Sequence, residues 1–219
     1  MKEQYPDHRP QVDLATIAEE VFNLLAAQFP VCMESDEFHF FPQAKAEGVD
    51  WSHWDDFTPG SIERIIEQLD QWGQRIGSCV FSSMPLAGIM DAEMLKRVVQ
   101  TLSEQLALVK AHEVQPTFYL TIAGIGLAEA FTAGPQAMNA RLQSLPGFLN
   151  QARCNLKRVP RLFRDLGIAM LDKQRMWLAS LALPVNLHAP IDTALRHLEA
   201  DLRRSPVVEA FLPPLALYE

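Results

Sequence analysis

Several signatures are scarce or missing in this sequence, and each absence removes a class of protein. Three cysteines in 219 residues, Cys32, Cys79 and Cys154, are odd in number and widely spaced, with no Cys-x-x-Cys pair. A disulfide framework and a zinc knuckle are therefore not expected, and the thiols read as reduced and mostly buried in a cytoplasmic protein. No long hydrophobic run is present. The longest, from Leu120 to Ala133, contains Glu129 and falls short of the ~20 residues that span a bilayer. The first ten residues, Met1 to Pro10, lack the apolar run of a secretory signal, so a soluble chain with no membrane partner is expected. Positive charge is also short: 19 Lys and Arg against 27 Asp and Glu give a formal charge of -8. A chain with that balance does not grip nucleic acid through its overall field. Ten glycines and fifteen prolines are scattered, and no Gly/Ser-rich or Pro-rich linker divides the chain.

What remains is the composition of a globular protein, 48% hydrophobic and 21% charged. At this length a folded chain buries roughly 70% of its unfolded surface, enough for a core without staples. Almost every segment has the period of a helix and none keeps the alternation of a strand. Asp13 is placed to cap a helix with Leu14, Ile17, Val21, Leu24 and Leu25 on one face, ended by Pro30. Pro59 opens a second, whose stripe is Ile62, Ile65, Ile66, Leu69, Trp72 and Ile76. Asp91 is expected to cap a third, with Met94, Leu95, Val98, Val99, Leu102, Leu106 and Val109 inward. Pro116 begins a helix that from Phe118 to Phe131 is apolar nearly all round, the mark of a central helix, and Gly124 and Gly126 within it predict a close helix crossing. Gly134-Pro135 starts a short segment, Pro146 and Pro160 each open a helix, and a last helix runs from about Pro190 to Ser205. The expected fold is all-α: a single helical domain over residues 1–219 with one long irregular loop at about residues 30–57.

Charge is uneven along this domain. Residues 1–70 carry 15 acidic and 4 basic side chains, residues 141–175 carry 8 basic and 2 acidic. Arg161, Arg164 and Arg175 fall on one side of the helix after Pro160. Either they pair with the acidic N-terminal region, or they form a surface for an anionic small molecule or acidic peptide. The opposite stripe, with Leu162, Leu166 and Trp177, predicts a helix covered on two sides.

Catalytic spacing is missing. Of the six histidines none stands four residues from another; His112-Glu113 starts a His-Glu-x-x-His pattern, but Pro116 occupies the second ligand's place. No Gly-x-Ser-x-Gly elbow or Gly-rich phosphate loop occurs. Two acidic clusters (Glu34, Asp36, Glu37 with His39; Asp50, Asp55, Asp56 with His53) lack the spacing of a calcium loop. The interleaved aromatics Phe38, Phe40, Phe41, Trp51, Trp54 and Phe57 predict a loop pinned onto the core. No cofactor and no metal are expected.

The order of motifs from Asp91 to Leu181 is distinctive. A long amphipathic helix leads to Gln115-Pro116-Thr117-Phe118-Tyr119-Leu120. Arg141-Leu142-Gln143-Ser144-Leu145-Pro146 follows, and then Gln151-Ala152-Arg153-Cys154-Asn155-Leu156 before Pro160. This resembles the N-terminal helical half of the bacterial domain-of-unknown-function family 885, whose members look like zinc metallopeptidases. The resemblance implies a metal site in a C-terminal half, beyond where this sequence stops, so no ligand or catalytic residue carries over. It implies a non-catalytic helical half that forms a substrate-channel wall and docks a catalytic-half domain or subunit. Physically, the polar residues at the border of the Phe148, Leu149, Ala152, Leu156 stripe are expected to bond neighbouring helix ends or loops. In the functional reading, Tyr119, Arg153 and Asn155 line a groove, with Arg153 the natural partner of a carboxylate. Set against the docking role is an autonomous helical binding module for an anionic small molecule or acidic peptide, using residues 141–175.

The last residues, Val207 to Glu219, include Phe211, Leu212, Leu215, Leu217 and Tyr218. Such an apolar stretch predicts self-association, as a symmetric homodimer.

Overall fold

The computed structural model describes residues 14–43, 52–79, 85–181 and 183–206. Among them the chain is all-α, with no strand in the element order. The helices are α1 (Leu14–Gln28), α2 (Pro30–Glu34), α3 (Pro59–Gly77), α4 (Leu86–Glu104), α5 (Ala111–Val114), α6 (Pro116–Ala133), α7 (Pro135–Asn155), α8 (Arg161–Ser180) and α9 (Val185–Arg204). A π-helical turn, Gln105–Val109, continues α4. It closes with a hydrogen bond from Lys110 N–H to the Gln105 carbonyl and with Lys110 at φ 51°.

Proline sets four of the helix starts among the described residues. Pro30, Pro59, Pro116 and Pro135 stand in the first turn of α2, α3, α6 and α7, where the missing N–H would have no intrahelical partner anyway. The stripes then decide the packing. Ile17, Val21 and Leu25 of α1 are buried with Ile62, Ile65, Leu69, Trp72 and Ile76 of α3, and with Ala92, Leu95, Val99 and Leu102 of α4. In a second group α6 packs on α7 and α8, and α9 packs on the same two helices. Helix α6 is buried on several sides, as its apolar circumference requires. Contacts of α2 and α5 with α6 join the groups, and one hydrophobic core runs through both.

Gly126 permits the close approach expected over α6. A Cβ there would lie 2.5 Å from Cζ3 of Trp54 and closer still to Nη1 of Arg141, whereas Gly124 has only Nε2 of Gln174, at 3.7 Å. A second close crossing was not foreseen: a Cβ on Gly167 of α8 would sit 2.7 Å from Cβ of Pro116.

Several boundaries differ from the sequence expectations. Residues 30–34 of the expected loop form α2, because Pro30 starts a new turn rather than only ending α1. Asp91 lies inside α4, not at its cap; the helix begins five residues earlier, at Leu86 after Pro85, and of the stripe expected inward Met94 and Val109 are exposed. Pro146 opens no helix, since α7 runs through it, and Pro190 likewise lies inside α9. An internal proline frees one carbonyl and kinks a helix, but burial of Leu142, Leu145, Phe148 and Leu149 holds both halves of α7 against the core. Helix α8 turns Gly167, Leu171 and Leu178 inward and leaves Leu162, Leu166 and Met176 exposed, so the expected cover on that side is not there among the described residues. Asp13, Trp51 and the stretch from Val207 lie outside the described residues.

Candidate functional site

The densest polar chemistry surrounds the segment 52–58, where four helices converge. Asp55 is 1% exposed. Its Oδ1 accepts the Val31 N–H at 2.7 Å and its Oδ2 the Cys32 N–H at 3.1 Å, so a carboxylate from distant sequence caps α2. Asp56 exchanges backbone and side-chain bonds with Gln28 at the end of α1 (Asp56 N–H to Gln28 O, 3.0 Å; Gln28 Nε2 to Asp56 O, 2.7 Å). Its carboxylate accepts from Thr58 N–H at 2.8 Å and Ser61 Oγ at 2.6 Å, starting α3.

Helix α7 grips the other side of this segment. Gln151 donates to Asp56 Oδ1 at 2.9 Å and accepts the Phe57 N–H at 3.3 Å. One turn on, Asn155 Nδ2 donates to the Phe57 carbonyl and to the Tyr119 hydroxyl, both at 2.7 Å, and that hydroxyl donates to the His112 carbonyl at 2.8 Å. Arg141, with no exposed surface, donates from Nη2 to the His53 carbonyl at 2.9 Å and lies 4.8 Å from the Trp54 ring centre. Trp54 returns a bond to the Arg141 carbonyl at 3.2 Å and stacks on Phe148 at 5.0 Å.

Burial dominates the titration of these groups. It pushes Asp55 up to about 6, against the opposing pull of the Cys32 thiol, two backbone N–H groups and the Arg141 charge. Burial beside that carboxylate pushes the Cys32 thiol well above its usual range. His112 is driven down to about 4, mainly by burial, and the Tyr119 hydroxyl is raised by it. Burial also acts to raise Asp56, but hydrogen bonds from Ser61 and Thr58 outweigh it and hold the carboxyl below its ordinary value. None of these groups resembles an accessible nucleophile, whose pKa would be lowered. Among the described residues no set of three His, Cys, Asp or Glu side chains is arranged to hold a metal ion.

Of the six residues singled out in the sequence, the structure brings together Tyr119 and Asn155, both buried. Their polar atoms bond a loop and each other, the role expected of border residues. Arg153 points away from them, to α9, where Nε reaches Asp201 Oδ2 at 2.7 Å. The arginines of α8 do not converge on one ligand site. Arg161 lies 3.8 Å and Arg164 3.2 Å from Asp165, whereas Arg175 bridges Asp192 at 3.3 Å and Glu199 at 3.0 Å on α9. Their partners among the described residues are thus acidic side chains of α8 and α9. Arg141, Gln151, Asp55 and Trp54 carry the network and were not singled out as a site. Gln151 and Asn155, four apart beside an apolar stripe, were the one readable signal.

Two surface concavities lie outside this network. Helices α1 and α4 enclose an apolar groove of about 520 Å³, walled by Leu14, Ala18, Phe22, Met94, Leu95 and Val98. Helices α7 and α9 enclose a more polar cleft of about 490 Å³ that contains Asn150, Arg153, Thr193 and His197.

No family model and no curated protein matches the sequence. The resemblance to family 885 therefore rests on the residues that suggested it. A solved structure from Shewanella oneidensis, described as "a putative lipoprotein of unknown function", is similar at a TM-score of 0.58 and 12% identity. The match covers 88% of this chain and 36% of the other, so the chain spans about a third of that protein's length. At that identity the likeness concerns the fold: an all-α architecture that also occurs inside a longer chain. No helix among the described residues is long and apolar enough to cross a membrane.

Proposed function

We propose that the chain is a non-catalytic helical unit that docks a second, helix-presenting unit, as the resemblance to the N-terminal half of a metallopeptidase-like family implies. The observation that carries this reading is uncovered apolar surface. On α4, Leu86, Met90 and Met94 repeat every four residues and are exposed, and Met94, 65% exposed, also lines the α1–α4 groove. On α8, Leu162, Leu166 and Met176 form a second exposed face. Single exposed apolar residues need no explanation, but rows of them beside a groove have the form of a helix-in-groove interface. Methionine suits such a surface because its unbranched chain adapts to what packs on it. The partner's chemistry follows: an amphipathic helix whose apolar face carries the i, i+4 spacing. That the same fold forms about a third of a longer protein supports such a neighbour. The buried polar groups support it differently, since they are spent on tying the segment 52–58 to α2, α3 and α7. The unpaired thiols of Cys32, Cys79 and Cys154 support a reducing compartment, the cytoplasm.

The isolated chain should then self-associate through these faces. Light scattering across a concentration series should show dimers that Met94→Glu or Leu166→Glu disperses. A wild-type chain that stays monomeric throughout, or tight binding of about one zinc per chain together with peptide cleavage, would refute the reading.

A further inference from the structure

The cleft between α7 and α9 has a different character from the apolar faces, and the docking role does not use it. Pro146, Asn150 and Arg153 come from one face of α7 at i, i+4, i+7. Pro190, Thr193 and His197 come from the facing side of α9 at i, i+3, i+7. Its volume, about 490 Å³, is in the range of small-molecule sites. The internal prolines of both helices line it, so rigid apolar rings and four polar side chains share one space.

Arg153 is braced rather than consumed. Nε donates to Asp201 at 2.7 Å and Nη1 to Asn150 Oδ1 at 3.3 Å, while Nη2 makes no hydrogen bond with a described residue. A guanidinium held at Nε and Nη1 keeps its plane in a fixed orientation, so a ligand bound to Nη2 orders fewer torsions. Thr193 and His197, four residues apart on α9, add a hydroxyl and a ring nitrogen to the same space.

We propose that this cleft binds a small organic carboxylate, its head on Arg153 with support from His197, its apolar body against Pro146 and Pro190. Carboxylate is favoured over phosphate because one arginine, its charge shared with Asp201, suits a monoanion and would not balance a dianion.

Isothermal titration of the full chain with hexanoate, with hexanol and inorganic phosphate as controls, tests this. Hexanoate should bind saturably, hexanol not at all and phosphate more weakly. Arg153→Lys should weaken hexanoate at least about tenfold, because an ammonium cannot hold Asp201 and Asn150 and still present a fixed donor to the cleft. Arg161→Met, outside the cleft, should leave it unchanged. Circular dichroism of Arg153→Lys should match the wild type, since a half-exposed ion pair contributes little to stability. No saturable hexanoate binding up to about 10 mM, at the weak end of measurable affinity, would overturn the proposal. So would phosphate binding in preference to hexanoate, equal binding of hexanol, or equal losses in the two arginine variants.

Discussion

Replacing Gly126 by alanine tests the packing at the centre of the fold, and Gly124→Ala is its internal control. Both glycines lie inside α6, where alanine is intrinsically better by up to about 1 kcal/mol. At position 124 the new methyl group meets only Nε2 of Gln174, at ordinary contact distance, so that gain should be realised. At position 126 the methyl would lie 2.5 Å from Trp54 Cζ3, 3.1 Å from Val31 Cγ2, and nearest of all to Arg141 Nη1. Flexible side chains can retreat from such a clash, but these cannot. Arg141 is fully buried and bonded to the His53 carbonyl, and Trp54 is stacked on Phe148 and bonded to the Arg141 carbonyl. Overpacking of this kind costs roughly 1–3 kcal/mol, and displacing a buried, partnered charge costs more. A net destabilisation of about 2 kcal/mol is expected for Gly126→Ala, against a small stabilisation for Gly124→Ala. For a chain of this length about 2 kcal/mol lowers Tm by roughly 4–8 °C. Urea titrations of the three proteins should show midpoints displaced in opposite directions at unchanged slope. Midpoints displaced equally and in the same direction would refute the close approach of α6 to Arg141 and Trp54.

Two further predictions use the same buried network. Asn155→Ala removes two hydrogen bonds and leaves the Phe57 carbonyl without its α7 partner, so it should cost about 2–3 kcal/mol in urea denaturation; a loss below about 0.5 kcal/mol would refute its role. For pH, Asp55 is raised from 3.8 to about 6, so its contribution is full below pH 3.8 and lost as pH rises through about 6, while His112, lowered from 6.5 to about 4, contributes fully above pH 6.5 and loses it as pH falls through about 4. Across that window the two oppose each other, so His112→Gln should make stability fall with rising pH and Asp55→Asn should make it rise; identical profiles for wild type and both variants would refute the assignment.

The helices were legible because their stripes repeat locally: Ile62, Ile65, Leu69, Trp72 and Ile76 need no knowledge of the partner to be read as one face. Proline was legible where it opens a helix and misleading where it does not. Pro146 and Pro190 look like Pro59 in sequence, and only the tertiary burial on either side of them keeps α7 and α9 continuous. The network was hidden for a different reason. Asp55 meets Val31 at 24 residues' separation, Gln151 meets Asp56 at 95, and Arg141 meets His53 at 88. Periodicity places a residue on a face but cannot say which distant backbone group that face meets. Arg141 illustrates this most sharply, since a charged residue is expected outside and is here a completely buried side chain.

The position of the network bears on the two surfaces. The α1–α4 groove belongs to one helical group, and the α7–α9 cleft to the other. The segment 52–58 is bonded to both: through Gln28 and Ser61 to α1 and α3, and through Arg141, Gln151 and Asn155 to α7. Hydrophobic packing alone is not directional and would let the groups slide over one another. Hydrogen bonds with fixed partners at several points do not allow that without leaving buried polar atoms unmet, at roughly 1–3 kcal/mol each. The buried Asp55, Arg141 and Asn155 therefore do what an apolar core of equal volume would not: they fix the register between the groups. A groove on one group and a cleft on the other can then present a constant spacing to whatever binds them.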